Sequence, residues 1–273
     1  MLSDLLIATI LGIVEGVTEF LPVSSTGHLI VVGSLLGFEG ERAATFSVVI
    51  QLGAMLAIAW LYRARLVSLA TFDATPGFAG RRGVSLLVTT TVPALLLGAL
   101  AHGFIRDSLF TPLTVAVGWG AGGILILLAE RWRPPTRVNT LDGLSWSMAL
   151  VVGLFQCLSL WPGMSRSATT MVGGLISGVR RDVAAEYSFL AALPVIGAAS
   201  AVELLTGIDE LTANDTPLFV TGFLVSFATA WLAVRTFLKL LKVTTLRPFG
   251  WYRIGAAATL FGVLALGNSH LII

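Results

Sequence analysis

Two acidic residues lie one helical turn apart inside an apolar part of the sequence. Glu15 and Glu19 are separated by four positions, so a helix would place both carboxylates on one face. Two like charges at this spacing repel each other, and a divalent cation or a shared proton between them removes the repulsion. We therefore expect one shared site, with Mg²⁺ or Ca²⁺ as the cation, rather than two glutamates that each pair with a distant base.

Hydroxyl groups and a histidine follow these carboxylates after a proline. The sequence after Pro22 predicts a new helix that begins near Ser24 and Ser25, and the free N–H groups at its start form a cradle for an anion. His28 lies within one turn of Ser25. It is a candidate general acid or base near a phosphoryl group. The alternative is a histidine that bonds to the backbone in a tight helix bundle.

A second segment, 163-GMSRSATT-170, begins another helix in the same way. Arg166 in this segment is a planar fork of donors that suits phosphate oxygens. If the two segments meet, two helix N-termini, one arginine and several hydroxyls converge on one anion. The paired carboxylates cannot bind that anion directly, and a metal would bridge them to it. This combination favours a phosphate or diphosphate with a divalent cation over a carboxylate ligand.

The composition is that of an integral membrane protein. Of the 273 residues, 56% are apolar and 12% are charged, whereas soluble domains carry roughly 25% charged residues. The mean hydropathy is +0.90. Each ionised group costs about 2.5–3.5 kcal/mol or more inside a membrane, so several of them favour a functional cavity. The net charge of +2 gives no reason to expect a nucleic-acid partner, and Cys157 alone cannot form an intramolecular disulfide.

The apolar segments predict an all-α protein with six transmembrane helices and two interrupted regions. The interrupted regions, 2–37 and 142–179, each carry a proline followed by hydroxyl residues, which predicts helix, break and helix. The N-terminus lacks a basic segment and a small-residue cleavage site, so we expect no removed signal peptide. The six long apolar segments are 43–62, 84–102, 113–130, 184–205, 217–238 and 250–268.

Basic residues between these segments predict the orientation. Thirteen of the seventeen basic residues cluster in four places, and the positive-inside rule puts those places in the cytoplasm and the acidic loop 206–216 outside. With this assignment the two interrupted regions enter the membrane from opposite faces. The thirteen are Arg63, Arg65, Arg81, Arg82, Arg131, Arg133, Arg137, Arg180, Arg181, Lys239, Lys242, Arg247 and Arg253.

The two interrupted regions also resemble each other. Ser25 aligns with Ser165 at an offset of 140, and 43-AATFS-47 resembles 184-AAEYS-188 at an offset of 141. Together with the opposite entry faces, this favours one membrane domain, 1–273, built from inverted repeats of roughly 1–130 and 131–273. The interrupted regions would then be re-entrant helix pairs that meet near the midplane. The alternative is two ordinary helical hairpins that cross the membrane completely.

The motifs closely resemble those of a known family. Residues 15–28, E-G-x-T-E-F-L-P-V-S-S-T-G-H, resemble the signature of the undecaprenyl-diphosphate phosphatases, also called the bacitracin-resistance or BacA family. A second family motif, P-G-x-S-R-S, is present at 162–167, and the similarity extends along the whole chain, including 46-FSVVIQLGA-54. One departure is Ala168, where many members have glycine.

This resemblance implies an activity and a location. The family hydrolyses undecaprenyl diphosphate to undecaprenyl phosphate and inorganic phosphate, which recycles the lipid carrier for cell-wall polymers and confers bacitracin resistance. It implies a multi-pass protein of the bacterial inner (plasma) membrane, with six spans and two re-entrant helix pairs. The site would open to the outer face, and a divalent cation would be required.

The resemblance also implies roles for individual residues. It makes Glu15 and Glu19 the metal-site acids, Ser25 the hydroxyl beside the reacting phosphorus, and His28 the acid or base. Arg166 belongs both to the catalytic set and to the phosphate-binding set. The other implied phosphate binders are Ser24, Thr26, Ser165 and Ser167.

Several alternatives stay open at this point. The attacking group is either Ser25, which would give a phosphoserine, or a water activated by the metal or by His28. A prenyl-phosphate transporter, or flippase, could use the same anion site, because inverted repeats with broken helices are typical of secondary transporters. The sequence also leaves open whether the protein is a homodimer, which metal it uses and which prenyl length it prefers.

Overall fold

The structure, a computed structural model, describes residues 3–71, 77–109, 111–207 and 215–266. Within these ranges it is all-helical, with no strand and a single isolated backbone bridge between Val138 and Val179. The helices are α1 (Asp4–Thr18), α2 (Ser25–Leu35), α3 (Glu41–Leu61), α4 (Arg63–Ala70), α5 (Gly80–Leu100), α6 (His102–Leu109), α7 (Pro112–Trp132), α8 (Trp146–Cys157), α9 (Arg166–Ile176), α10 (Arg181–Gly207), α11 (Thr216–Leu241) and α12 (Arg247–Ala265).

Five of these helices are long and apolar enough to cross a membrane. They are α3, α5, α7, α10 and α11. The structure thus makes the chain a multi-pass membrane protein. The predicted sixth span, 250–268, corresponds to α12, which ends at Ala265 among the described residues and carries two arginines in its first two turns. The acidic part of the predicted loop 206–216 lies largely outside the described residues.

Both interrupted regions have the helix, break and helix that the prolines predict. The first break joins α1 to α2 over residues 19–24. The second joins α8 to α9 over residues 158–165 and contains a short 3₁₀ turn, Leu158–Leu160. Each break therefore ends at the N-terminus of an 11-residue helix.

The backbone repeats itself over these two regions at an offset of 141. Ser24 and Ser165 precede α2 and α9 with φ of +73° and +68°. At the other helix ends, Gly37 and Gly178 have φ of +64° and +80°, the left-handed conformation in which glycine commonly ends a helix. The predicted alignment of Ser25 with Ser165 is thus one residue out. The prediction aligned the two regions by their prolines. In the structure the equivalent positions are instead the two serines with positive φ, each of which directly precedes a helix.

The helices around the breaks are held together mainly by apolar packing. α1 packs on α11, α5 packs on α8, and α7 packs on both α9 and α12. A cluster of buried side chains that includes Phe20, Met171, Phe189 and Val234 lies directly against the first break and α9. Apolar packing therefore contributes to the side-by-side position of the two breaks.

A buried carboxylate fixes the far ends of these helices. Glu130, near the end of α7, accepts two hydrogen bonds from Arg181, at 2.8 and 2.6 Å. It also accepts one from the backbone N–H of Leu246, at 2.8 Å. This one side chain therefore ties α7 to the starts of α10 and α12.

Close contact between α1 and α11 requires a small residue at position 16. A Cβ at Gly16 would lie 2.0 Å from Thr229 Oγ1 and 2.6 Å from the carbonyl oxygen of Ser226. We expect Gly16→Ala to lower the free energy of unfolding by about 1–3 kcal/mol, because the backbone of α11 would have to move. The matched control is Gly262→Ala on α12, where no atom lies within 4 Å. Thermal unfolding in detergent checks the pair, and equal melting temperatures would contradict the packing.

Candidate active site

The two acidic residues lie at the C-terminal end of α1, at the edge of the first break. Helical backbone continues through Glu19, whose N–H donates to the carbonyl oxygen of Glu15 at 2.9 Å. Both carboxylates therefore lie on one side of the helix. Their exposed fractions are 1% for Glu15 and 7% for Glu19. Two buried carboxylates one turn apart need partners of opposite charge.

Glu19 connects the two breaks. Its Oε1 accepts from Arg166 Nη2 at 2.9 Å, and its Oε2 accepts from Ser25 Oγ at 2.5 Å. Ser25 is the first residue of α2 and Arg166 is the first residue of α9. The structure thus brings three of the predicted catalytic residues into one hydrogen-bonded group, although Arg166 is far from the other two in sequence.

Arg166 is held from two other directions. Its Nη1 donates to the carbonyl oxygen of Ser188 at 3.1 Å, and its guanidinium lies over the ring of Phe20, 5.5 Å from the centroid. Thr170, one turn further along α9, exchanges a 2.6 Å hydrogen bond with the Ser188 hydroxyl. The guanidinium is therefore fixed in direction, which suits a group that must meet an anion in one orientation.

Ser165 and Ser167 connect α9 to the first break. Ser165 Oγ accepts from the N–H of Ala168 at 3.3 Å and lies 3.0 Å from Ser167 Oγ. Ser167 Oγ donates to the carbonyl oxygen of Leu21 at 2.8 Å. Both hydroxyls are buried between the breaks. The methyl group of Ala168 is accommodated here without disturbing the cap.

The serine before each helix has unusual backbone geometry. Ser24 and Ser165 have positive φ, a conformation that costs a residue with a Cβ about 1 kcal/mol or more. Strain of this kind persists where the surrounding structure imposes it, and it is common at functional sites. In both positions it turns the chain sharply so that the N–H groups of the next helix face the break.

We expect Ser24→Gly to raise the free energy of unfolding by about 1 kcal/mol, since glycine adopts positive φ without steric cost. Ser24→Ala removes the same hydroxyl and keeps the Cβ, so it should bring no gain. Thermal unfolding of the two variants in detergent measures the difference. A glycine variant no more stable than the alanine variant would show that the serine is unstrained.

Among the described residues, His28 and Thr26 make no hydrogen bond to the Ser25–Glu19–Arg166 group. His28 Nδ1 is 2.7 Å from the carbonyl oxygen of Ser24, which makes this nitrogen the donor. Its Nε2 is 2.6 Å from the hydroxyl of Tyr252, and the two rings are stacked. Thr26 is exposed. His28 therefore has both the expected place near Ser25 and a backbone bond of the kind that the alternative describes.

A buried arginine on α12 supports both breaks from behind. Arg253 has no exposed surface, and it donates five hydrogen bonds to backbone carbonyl groups of the described residues. The sequence predicts that Arg253 flanks the last connection as one of the cytoplasmic basic residues, whereas the structure buries it completely. Near the end of an apolar segment it looks like a flanking charge, whereas α12 begins six residues earlier and carries it into the core. The carbonyl oxygens are those of Pro22 (3.3 Å), Gly118 (3.0 Å), Trp119 (3.3 Å), Gly163 (2.8 Å) and Met164 (2.9 Å).

Three residues around the site were not singled out from the sequence. They are Arg253, Tyr252 and Trp119, whose ring centroid is 5.1 Å from that of His28. No motif contains them, and aromatic residues in an apolar segment carry no signal of their own. A charged residue seven positions into a helix of this composition is the one feature that could have identified Arg253.

The carboxylates fit a divalent cation only in part. Glu15 Oε1 is buried and has no hydrogen-bond partner among the described residues. A buried carboxylate oxygen without a partner is available to bind a cation. However, the described part of the chain contains no group of three or more His, Cys, Asp or Glu side chains that could hold a metal. A cation at Glu15 and Glu19 would therefore take its other oxygen ligands from hydroxyls, water or a bound phosphate.

Comparison with known proteins agrees with the motifs. The family model described as "Bacitracin resistance protein BacA" matches residues 8–259. A protein named "Undecaprenyl-diphosphatase" from Nitratidesulfovibrio vulgaris (strain DP4) is 52% identical over 264 residues, which cover 97% of this chain and 100% of that protein. "Undecaprenyl-diphosphatase 1" from Bacillus thuringiensis (strain Al Hakam) is 49% identical over 265 residues, with the same two coverages. The chain therefore belongs to the bacitracin resistance protein BacA family.

Proposed function

We propose that this protein hydrolyses undecaprenyl diphosphate to undecaprenyl phosphate and inorganic phosphate. The observation that carries the proposal is the contact of Glu19 with Ser25 on one side and Arg166 on the other. It joins a nucleophile, a base and a cation that suits phosphate within one buried group. The names of relatives about 50% identical over nearly the whole chain supply the substrate.

The starts of α2 and α9 would bind the two phosphates. Helix N-termini present unpaired N–H groups and a partial positive charge, so they stabilise anions. Arg166 would add a charge-assisted contact to the same anion, exchanging part of its bond with Glu19 for phosphate oxygens. Around these groups the phosphate binders in the proposal are the hydroxyls of Ser24, Thr26, Ser165 and Ser167.

We place Ser25 as the attacking group. Its hydroxyl already donates to Glu19 at 2.5 Å, so that carboxylate can take the proton while Oγ attacks the terminal phosphorus. The Oγ–P bond forms as the bond from that phosphorus to the bridging oxygen breaks, and undecaprenyl phosphate leaves. A water then hydrolyses the phosphoserine and releases inorganic phosphate, and the serine regains its proton.

His28 has a less direct part in this scheme. Its Nδ1–H holds the Ser24 carbonyl group, and Tyr252 donates to Nε2, so neither nitrogen faces Ser25 Oγ. We propose that it acts as an acid or base on the leaving side of the substrate. The Ser24 carbonyl oxygen, which can only accept, determines that Nδ1 carries the proton, and Tyr252 holds the other side of the ring.

A divalent cation completes the charge balance. If both carboxylates are ionised, Glu15, Glu19 and Arg166 together leave the site negative, which repels a diphosphate. Mg²⁺ or Ca²⁺ held by Glu15 and Glu19 would reverse that sign and stabilise charge on the transferring phosphoryl group. The unpartnered Oε1 of Glu15 supports this assignment.

The finer topology is part of the proposal. We propose that α12 is the sixth span and that the two interrupted regions are re-entrant pairs in inverted repeats, roughly 1–130 and 131–273. The backbone features at an offset of 141 support the repeat. In this arrangement the protein lies in the bacterial inner membrane and the site opens to the outer face.

Phosphate release by the purified protein tests the function. We expect release from undecaprenyl diphosphate with Mg²⁺ or Ca²⁺, none with a chelator, and a phosphorylated Ser25 in rapidly quenched samples. Release without phosphoserine would favour an activated water. A folded protein that releases no phosphate under any metal, yet moves undecaprenyl phosphate across vesicle membranes, would show the transporter alternative to be correct.

A further inference from the structure

An apolar groove lies on the surface of the bundle beside the second break. It has a volume of about 470 Å³, within the range of about 300–1,000 Å³ that is usual for small-molecule sites. Its walls come from the end of α5, from α6, from one face of α7 and from the second break. Representative lining residues are Leu97, Phe104, Val117, Ala121, Leu158 and Met164.

The groove offers a ligand almost nothing but hydrocarbon. Phe104 is 64% exposed, and Leu97, Val117 and Leu158 are also exposed along it. The one indole in the lining, that of Trp161, donates its N–H to the carbonyl oxygen of Thr114 at 2.9 Å and so presents only its ring. A site of this kind takes an apolar chain and discriminates by shape.

The inner end of the groove borders the second break, the segment that leads directly into Arg166. A Cβ at Gly118 would lie 2.2 Å from the carbonyl oxygen of Pro162, so α7 packs tightly against the second break at this point. Met164, at this end of the groove, is two residues before Arg166. Arg253 bonds the carbonyl groups of both Gly118 and Met164. The groove therefore ends on the same rigid segment that presents Arg166.

We propose that this groove binds the part of the prenyl chain nearest the diphosphate. The inference rests on the proposed function, and its occupant is the substrate's isoprenoid tail rather than a bulk membrane lipid. A diphosphate held at the starts of α2 and α9 would direct the first isoprene units towards Met164 and along α7. The volume takes only part of a long chain, so the remainder lies in the membrane.

Filling the groove tests the proposal through substrate chain length. We expect Ala121→Trp to lower kcat/KM for undecaprenyl diphosphate about tenfold, as loss of a few buried methylenes would. The kcat/KM for dimethylallyl diphosphate, whose tail is one isoprene unit, should change less than about twofold. Ala258→Trp, an exposed position on α12 outside the groove, is the matched control and should change neither value. Equal losses for both substrates, or no loss, would overturn the groove assignment.

Cys157 allows a second measurement that needs no turnover. It lines the groove and is the only cysteine in the chain, so the mass of the intact protein reports its alkylation by N-ethylmaleimide. Undecaprenyl phosphate at ten times its dissociation constant should slow alkylation about tenfold. Inorganic phosphate and dioleoyl phosphatidic acid at the same concentration should not.

The controls separate this inference from the proposed function. Protection by phosphatidic acid equal to that by undecaprenyl phosphate would make the groove a general lipid site and overturn the proposal. Protection by neither, in a protein that hydrolyses undecaprenyl diphosphate, would overturn the groove and leave the function intact. A protein without any phosphatase activity would refute the function itself.

Discussion

Glu19→Gln should lower the rate of phosphate release from undecaprenyl diphosphate by about three orders of magnitude. An amide keeps the shape of the side chain but cannot take the proton of Ser25, and it weakens both the ion pair with Arg166 and any cation site with Glu15. Removing a general base lowers the rate of the catalysed step by about 10²–10⁴-fold. The measurement is the initial rate of phosphate release in detergent, with saturating Mg²⁺.

A second buried glutamate provides the control for this variant. Glu130 also forms an ion pair with an arginine, Arg181, but it lies near the C-terminal end of α7, outside the proposed site. Glu130→Gln disturbs a buried ion pair without touching the proposed site, so we expect lower thermal stability and nearly unchanged activity in the folded protein. If Glu19→Gln keeps more than half of the wild-type rate, or if both variants lose activity equally, Glu19 is not the base.

Arg253→Met should lower the free energy of unfolding by about 3–5 kcal/mol and abolish measurable activity. The substitution keeps most of the apolar length but leaves carbonyl groups of both breaks and of α7 without a donor in the protein interior. Removing one side of a buried polar network has a cost of this size. Thermal unfolding and phosphate release in detergent measure the two effects.

Two further variants make the Arg253 result specific. Arg253→Lys keeps the charge and three donors, so it should recover part of the stability, with kcat below wild type because the breaks are less well fixed. Arg247→Met, on the exposed first turn of the same helix, should change neither quantity. A stable, fully active Arg253→Met protein would show that the breaks hold their shape without this arginine.

The breaks and their motifs were predictable from the sequence because proline and hydroxyl residues have strong local effects. Pro22 and Pro162 interrupt apolar segments, and the serines that follow can begin a new helix. The i, i+4 spacing of Glu15 and Glu19 likewise depends only on helix geometry. Predictions that rest on such local rules are confirmed by the helix bounds.

The contacts across the bundle were not predictable in the same way. That Glu19 meets Arg166, and that Arg253 reaches both breaks, depends on which helices pack together, and apolar side chains on membrane helices do not specify their neighbours. The short helices α4 and α6 were missed because each has only eight residues, less than three turns. The one-residue error in the repeat arose because positive φ at Ser24 and Ser165 leaves no trace in residue type.

The most direct test of the account is a double-mutant cycle between the two breaks. The central claim is that Ser25 on α2 and Arg166 on α9 act on one phosphoryl group through Glu19. We would measure kcat/KM for undecaprenyl diphosphate in the wild type, Ser25→Ala, Arg166→Lys and the double variant, all checked for equal thermal unfolding. Residues that act as a unit are strongly non-additive. The account predicts a double variant within about threefold of the worse single variant, whereas losses that multiply in full would place the two residues in independent sites and contradict it.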